Sequence, residues 1–136
     1  MNTRVVPEFG SNERQLVGQL LAERYGRPVT VEEVDVELRL DPATEYLTAC
    51  PALYWNERGA EFIVTKVGDS RFRCQFQYSD SEQFAPSQGV FDELIGCVVT
   101  LLKLQADHEQ TRAGVLTGMT SKDLGGDDEY FGPLIV

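Results

Sequence analysis

The stretch Leu94 to Leu104 reads Leu-Ile-Gly-Cys-Val-Val-Thr-Leu-Leu-Lys-Leu, and all of it except Thr100 and Lys103 is apolar once Gly96 is counted. A segment that is apolar on nearly every side must be covered on nearly every side. Flanking residues extend it: from Gly89 to Arg112 no proline interrupts, which suits a helix better than a strand of the usual ~5 to 6 residues. Phe91, Ile95, Val98 and Leu102 recur at helical spacing as one stripe, with Leu94 and Leu101 as a second. One stripe is expected to cover a sheet and the other to meet a second copy of the chain, so these six residues form the expected homodimer interface.

The rest of the chain is acidic. Twelve Lys and Arg stand against 22 Asp and Glu, a formal charge of −10, which provides no general affinity for phosphate backbones. Neither nucleic acid nor an anionic membrane is an expected partner. Cys50, Cys74 and Cys97 are odd in number and contain no Cys-x-x-Cys pair, so neither a disulfide framework nor a zinc ribbon is expected. Met1 to Gly10 has no apolar core of a secretory signal, and no apolar run reaches the ~18 residues that span a bilayer. The expected location is the cytoplasm.

At 136 residues the chain has room for one domain. Residues 1–10 read as a loose arm, 11–113 as the domain and 114–136 as an acidic, glycine-rich tail. Asn12 and Gln15 resemble a capping box, Leu16, Val17, Leu20 and Leu21 follow at helical spacing, and Gly26 ahead of Pro28 makes a stop. The period then changes to two. Val34, Val36, Leu38 and Leu40 alternate with charged residues as a half-buried strand, with a break expected near Glu32 and Glu33. A short strand at Tyr46 to Cys50 should be interrupted by Pro51, and Ala52 to Asn56 should form another. Glu61 to Val67 and the alternating Phe72, Cys74, Phe76 and Tyr78 read as the clearest hairpin, and 79–88 as a loop.

Motifs that carry chemistry are scarce. His108 has no second histidine at ligand spacing and reads as a polar residue near a helix end. Cys50 is the most loop-like thiol, yet no basic residue lies close enough in sequence to activate it. No catalytic residue, metal ligand or cofactor is expected. Lys66, Arg71 and Arg73 cluster around one hairpin turn, with Arg58 on the neighbouring turn, and form a candidate anion clamp. Asp127, Asp128, Glu129, Tyr130 and Phe131 join acids to aromatics and form a candidate partner-binding segment.

The expected fold is α+β in two layers: an N-terminal helix, a four- to five-stranded mostly antiparallel sheet, a long C-terminal helix and an acidic tail. Small size, low pI and this layout are loosely similar to those of dimeric chaperones that escort secretion effectors, a likeness of layout rather than of motif. The expected function is non-catalytic: a cytoplasmic homodimer that binds another protein as adaptor, chaperone or regulator. The alternatives are a small enzyme or ligand-binding domain with a pocket between sheet and long helix, and an acidic nucleic-acid mimic.

Overall fold

A computed structural model describes residues 6–116. Helix α1 (Ser11–Tyr25) precedes five strands, β1 (Glu32–Leu38), β2 (Thr48–Glu57), β3 (Ala60–Gly68), β4 (Arg71–Ser79) and β5 (Glu82–Phe84), and α2 (Leu94–Leu116) follows them. The strands form one antiparallel meander in the order β1-β2-β3-β4-β5. The expected α+β class is the fold observed.

Local chemistry sets the boundaries. The α1 cap is Gly10 rather than Asn12: the Glu13 carboxylate accepts the Gly10 N–H at 2.7 Å and so satisfies a donor near the helix start. At the far end Gly26 adopts φ 74° and donates its N–H to Ala22 O, the left-handed stop that glycine permits. Arg58 and Gly59 both have positive φ, which turns β2 directly into β3 with the twist a two-residue hairpin requires.

Pro51 does not interrupt β2. It pairs only with Asp35 of β1, because the β3 register begins at Ala52, so β2 is locally an edge there and the missing N–H is tolerated. The loop expected at 79–88 contains the short strand β5, whose Phe84 ring stacks on Phe76 at 5.2 Å. Phe91 is not helical. It exchanges two backbone hydrogen bonds of 2.8 Å with Phe72 and pins the approach to α2 onto the sheet.

The two helices cover one sheet face; on the other, Cys50, Ala52 and Thr65 are buried while Val34 stays 37% exposed. Leu53, Trp55, Phe62, Val64, Phe72, Cys74 and Phe76 meet Val17 and Leu21 of α1 and Cys97, Val98 and Leu101 of α2 in a single core. Trp55 stacks on Phe62 with rings 5.3 Å apart and 7° from parallel. Val6 and Phe9, within the segment expected to be a loose arm, are buried as well. The two helices run in the same direction. Glu13 at the start of α1 and Phe91 just before α2 lie at the β3–β4 end, whereas Arg27 just after α1 and Glu109 near the end of α2 meet Glu57 and Arg58 at the β2–β3 turn.

Candidate interaction surfaces

The interface expected from the apolar stripes is core. Phe91, Leu94, Val98, Leu101 and Leu102 are buried within one chain and Ile95 is half-buried. Helical geometry supplies the reason. With about 100° per residue, Leu101 lies about 20° from Leu94 and Val98 about 40° from it, so the two stripes are one broad face that sheet and α1 cover together. Val99, about 140° from Leu94, is the large apolar side chain of α2 left outside.

Among the described residues two apolar surfaces remain. On the helix layer, Val99 (45% exposed) lines a groove between α1 and α2 with Leu20, Leu102 and Ala106, of about 460 Å³, and Leu16 of α1 is 47% exposed. On the uncovered sheet face the register aligns Val34 with Ala52 and Thr65, and Val36 with Cys50. Leu38 and Ile63 have the same parity, so exposed Val34 and half-buried Val36, Leu38 and Ile63 form an apolar strip around the buried Cys50, Ala52 and Thr65, and Tyr46 and Leu47 of the β1–β2 connection are 81% and 58% exposed. The valines of β1 were expected to face the core. They face away from it because two helices are wide enough to cover β2 to β4 but not the edge strand, and it is Glu33 that turns toward α1, where Arg14 pairs with it at 3.0 Å.

The candidate anion clamp is dispersed. Lys66 points into the helix side, with Nζ 3.0 Å from Glu13 Oε1 and 3.2 Å from Glu8 O, and the Phe9 and Phe72 rings flank the ammonium at 5.6 and 6.0 Å. Arg58 lies at the opposite end of the sheet and holds Glu109 in a forked ion pair, which raises the guanidinium pKa. Arg73 opposes Thr65 on the uncovered face, and exposed Arg71 sits at the β3–β4 turn. Asp127, Asp128, Glu129, Tyr130 and Phe131 lie outside the described residues.

Sequence reasoning missed a polar notch beside β2. Arg27, Thr30, Glu32, Trp55 and Glu57 contribute to its walls, around a volume of about 340 Å³. The Glu57 side chain is 7% exposed and pairs with the far more exposed Arg27. Behind it, burial raises the Tyr25 pKa and nearby Glu57 adds to this, while Arg24 and the Trp55 indole oppose the shift. The indole N–H of Trp55 and the Tyr25 hydroxyl are both buried without a hydrogen-bond partner of ordinary geometry. This notch is formed by the segment after α1 and not between sheet and long helix. No short motif marks it, because its residues come from two separate parts of the chain.

His108 joins an aromatic cluster at the β4–β5 corner, 4.2 Å from Phe84 and 5.5 Å from Tyr78 between ring centroids, and the Arg112 guanidinium lies 4.1 Å from the Tyr78 ring centroid. Its pKa is lowered by burial and then by Arg112, against a smaller opposing effect of Glu82. The three thiols are buried and no disulfide joins any two of them. Cys74 donates to Cys97 O at 3.5 Å, and its contact with Cys97 together with burial pushes its pKa far up, which makes it inert as a nucleophile. Among the described residues no three His, Cys, Asp or Glu side chains converge on a metal position, and no helix is long and apolar enough to cross a membrane.

No family model matches this chain, and no curated protein or solved structure does either.

Proposed function

We propose that the chain is a non-catalytic, cytoplasmic protein-binding module, an adaptor, chaperone or regulator, that works as a homodimer through its uncovered sheet face. The observation that carries this reading is the apolar strip of Val34 and the half-buried Val36, Leu38 and Ile63, together with the exposed Tyr46 and Leu47 of the β1–β2 connection. Large apolar surface left in contact with water marks an interaction site. Face packing is favoured over pairing of the free β1 edges. Antiparallel pairing centred on Asp35 would set Asp35 against its own copy and Glu33 against Glu37, and like charges directly opposite are destabilising. Three buried cysteines with no disulfide between them support a reducing compartment.

Light scattering at micromolar concentration tests the dimer. The full chain is expected to run as a dimer and a Val36→Asp variant as a folded monomer. A wild-type monomer at all concentrations, or a Val36→Asp dimer, would remove this reading of the face.

One observation favours a second reading, a ligand-binding domain: the notch places the buried Glu57 carboxylate behind an exposed Arg27 near two unpartnered polar atoms. Saturable thermal stabilisation by a small polar compound, abolished by Glu57→Gln, would move it to first place. The nucleic-acid mimic has thinner support. Glu33, Asp35 and Glu37 form a row spaced by about 6.8 Å on one side of β1, but Glu33 is already paired with Arg14.

A further inference from the structure

The groove between α1 and α2 combines an apolar floor with positive charge that nothing described neutralises. Leu20, Val99, Leu102 and Ala106 form the floor, and Arg24 and Lys103 stand on the rim with Glu23 as the single acid. Arg14, Arg27, Arg58 and Lys66 each hold a carboxylate. Arg24 and Lys103 make no ion pair among the described residues, although the chain as a whole carries a charge of −10. The occupant that fits is therefore acidic as well as apolar.

Such a segment is present in the same chain. Asp127, Asp128 and Glu129 are followed directly by Tyr130 and Phe131 and then by Leu134, Ile135 and Val136. Its reach matches the groove. Going back along α2 from Leu116 to Lys103 covers thirteen residues, about 20 Å of helix. The eleven peptide units from Leu116 to Asp127 have a root-mean-square span of about 18 to 20 Å as a flexible chain, and can extend to nearly 40 Å. When linker length matches the distance between sites, the effective concentration is in the millimolar range, so a contact too weak to capture a free peptide is still populated. Both the groove and the end of α2 belong to the helix layer. Arg39, Arg71, Arg73 and Arg112 also have no described carboxylate partner, but Arg39 is held by the Thr44 and Pro42 carbonyls and Arg112 lies over the Tyr78 ring, while Arg71 and Arg73 sit at the β3–β4 end and on the opposite sheet face, which the segment would reach only by passing around the sheet.

We infer that residues 127–136 dock in the α1–α2 groove of their own chain, with the acids against Arg24 and Lys103 and the aromatic rings over Leu20, Val99 and Ala106. This occupancy is separate from the sheet-face dimer and stands or falls without it.

The test is a nuclear Overhauser measurement on full-length protein with labelled methyl groups. Contacts from the Tyr130 and Phe131 rings to the Val99 and Leu20 methyls are expected. Their occupancy should fall about fivefold when Asp127 and Asp128 are both changed to Lys, the effect of losing two exposed ion pairs. It should return when Arg24→Glu and Lys103→Glu are added. Contacts seen only between labelled and unlabelled copies in a mixed sample would assign the groove to the tail of a second chain and overturn the inference. Contacts to Val34 or Ile63 instead, or none to the groove, would overturn it as well.

Discussion

Lys66 offers a test in which charge and packing separate. Its side chain is 7% exposed, its ammonium contacts Glu13 Oε1 at 3.0 Å, and two aromatic rings flank it. Changing Glu13 to Gln keeps a side-chain oxygen for the Gly10 N–H but leaves the buried ammonium without its counter-charge. Breaking a fully buried pair costs about 3 to 5 kcal/mol. Glu13 is 29% exposed, so water compensates part of the loss and the expected cost is roughly 2 kcal/mol. Lys66→Met acts differently. Methionine replaces the stem with an apolar chain that packs well between Phe9 and Phe72, and the Glu13 carboxylate left behind keeps the Gly10 N–H and reaches water. The expected change is within about 1 kcal/mol of zero. The double variant should match Lys66→Met alone, so the two changes are non-additive by roughly the full cost of Glu13→Gln. Urea unfolding followed by the fluorescence of Trp55, the one tryptophan and a fully buried one, reads all three stabilities. Equal losses for the two single variants, or additivity in the double, would refute the account of Lys66 as a buried cation held chiefly by its counter-charge.

Further expectations follow from the same structure. Leu101→Ala should cost about 2 to 5 kcal/mol, as a core truncation does, and should leave the association state of the folded protein unchanged; loss of a dimer without loss of stability would return Leu101 to an interface. For His108, faced by Phe76, Tyr78, Phe84, Arg112 and Glu82, the folded pKa lies below its ordinary 6.5. The unfolded chain therefore takes up the proton first, and this residue's contribution to stability declines as pH falls through about 6.5 and levels off below the folded pKa. The urea midpoint of wild type should drop more between about pH 7.5 and pH 5.5 than that of His108→Gln, and equal drops would count against it. Thiol titration should find three free thiols in unfolded protein, whereas Cys74 in native protein should resist alkylation at neutral pH; rapid native labelling of Cys74 would contradict its burial beside Cys97.

The sequence by itself determined both helices, most of the strands, and the ends of β3 and β4 and of α1 at Gly26, but not β5 or the continuity of β2 through Pro51. Period 3.6 before Gly26, period two around Phe72 to Tyr78, and an apolar run too long for a strand are local signals, and local backbone preferences enforce them. Gly26 and Gly59 adopt the positive φ that only a turn or a cap demands, so their roles were legible in place. What the tertiary structure decided is which apolar face meets what. Val34, Val36 and Leu38 have the alternation of a buried strand, yet they point away from the core because β1 lies beyond the reach of two helices. Leu94 and Leu101 look like a second stripe but belong to the same wide face as Val98, since covering depends on the shape of the neighbouring sheet and helix and not on residue type. The same holds for charge. Lys66, Arg71 and Arg73 are close in sequence, but strand alternation sends Lys66 inward to Glu13 and Arg73 to the opposite face, while Arg27 meets Glu57 across thirty residues. Periodicity is a property of the chain, whereas a neighbour is a property of the packed molecule.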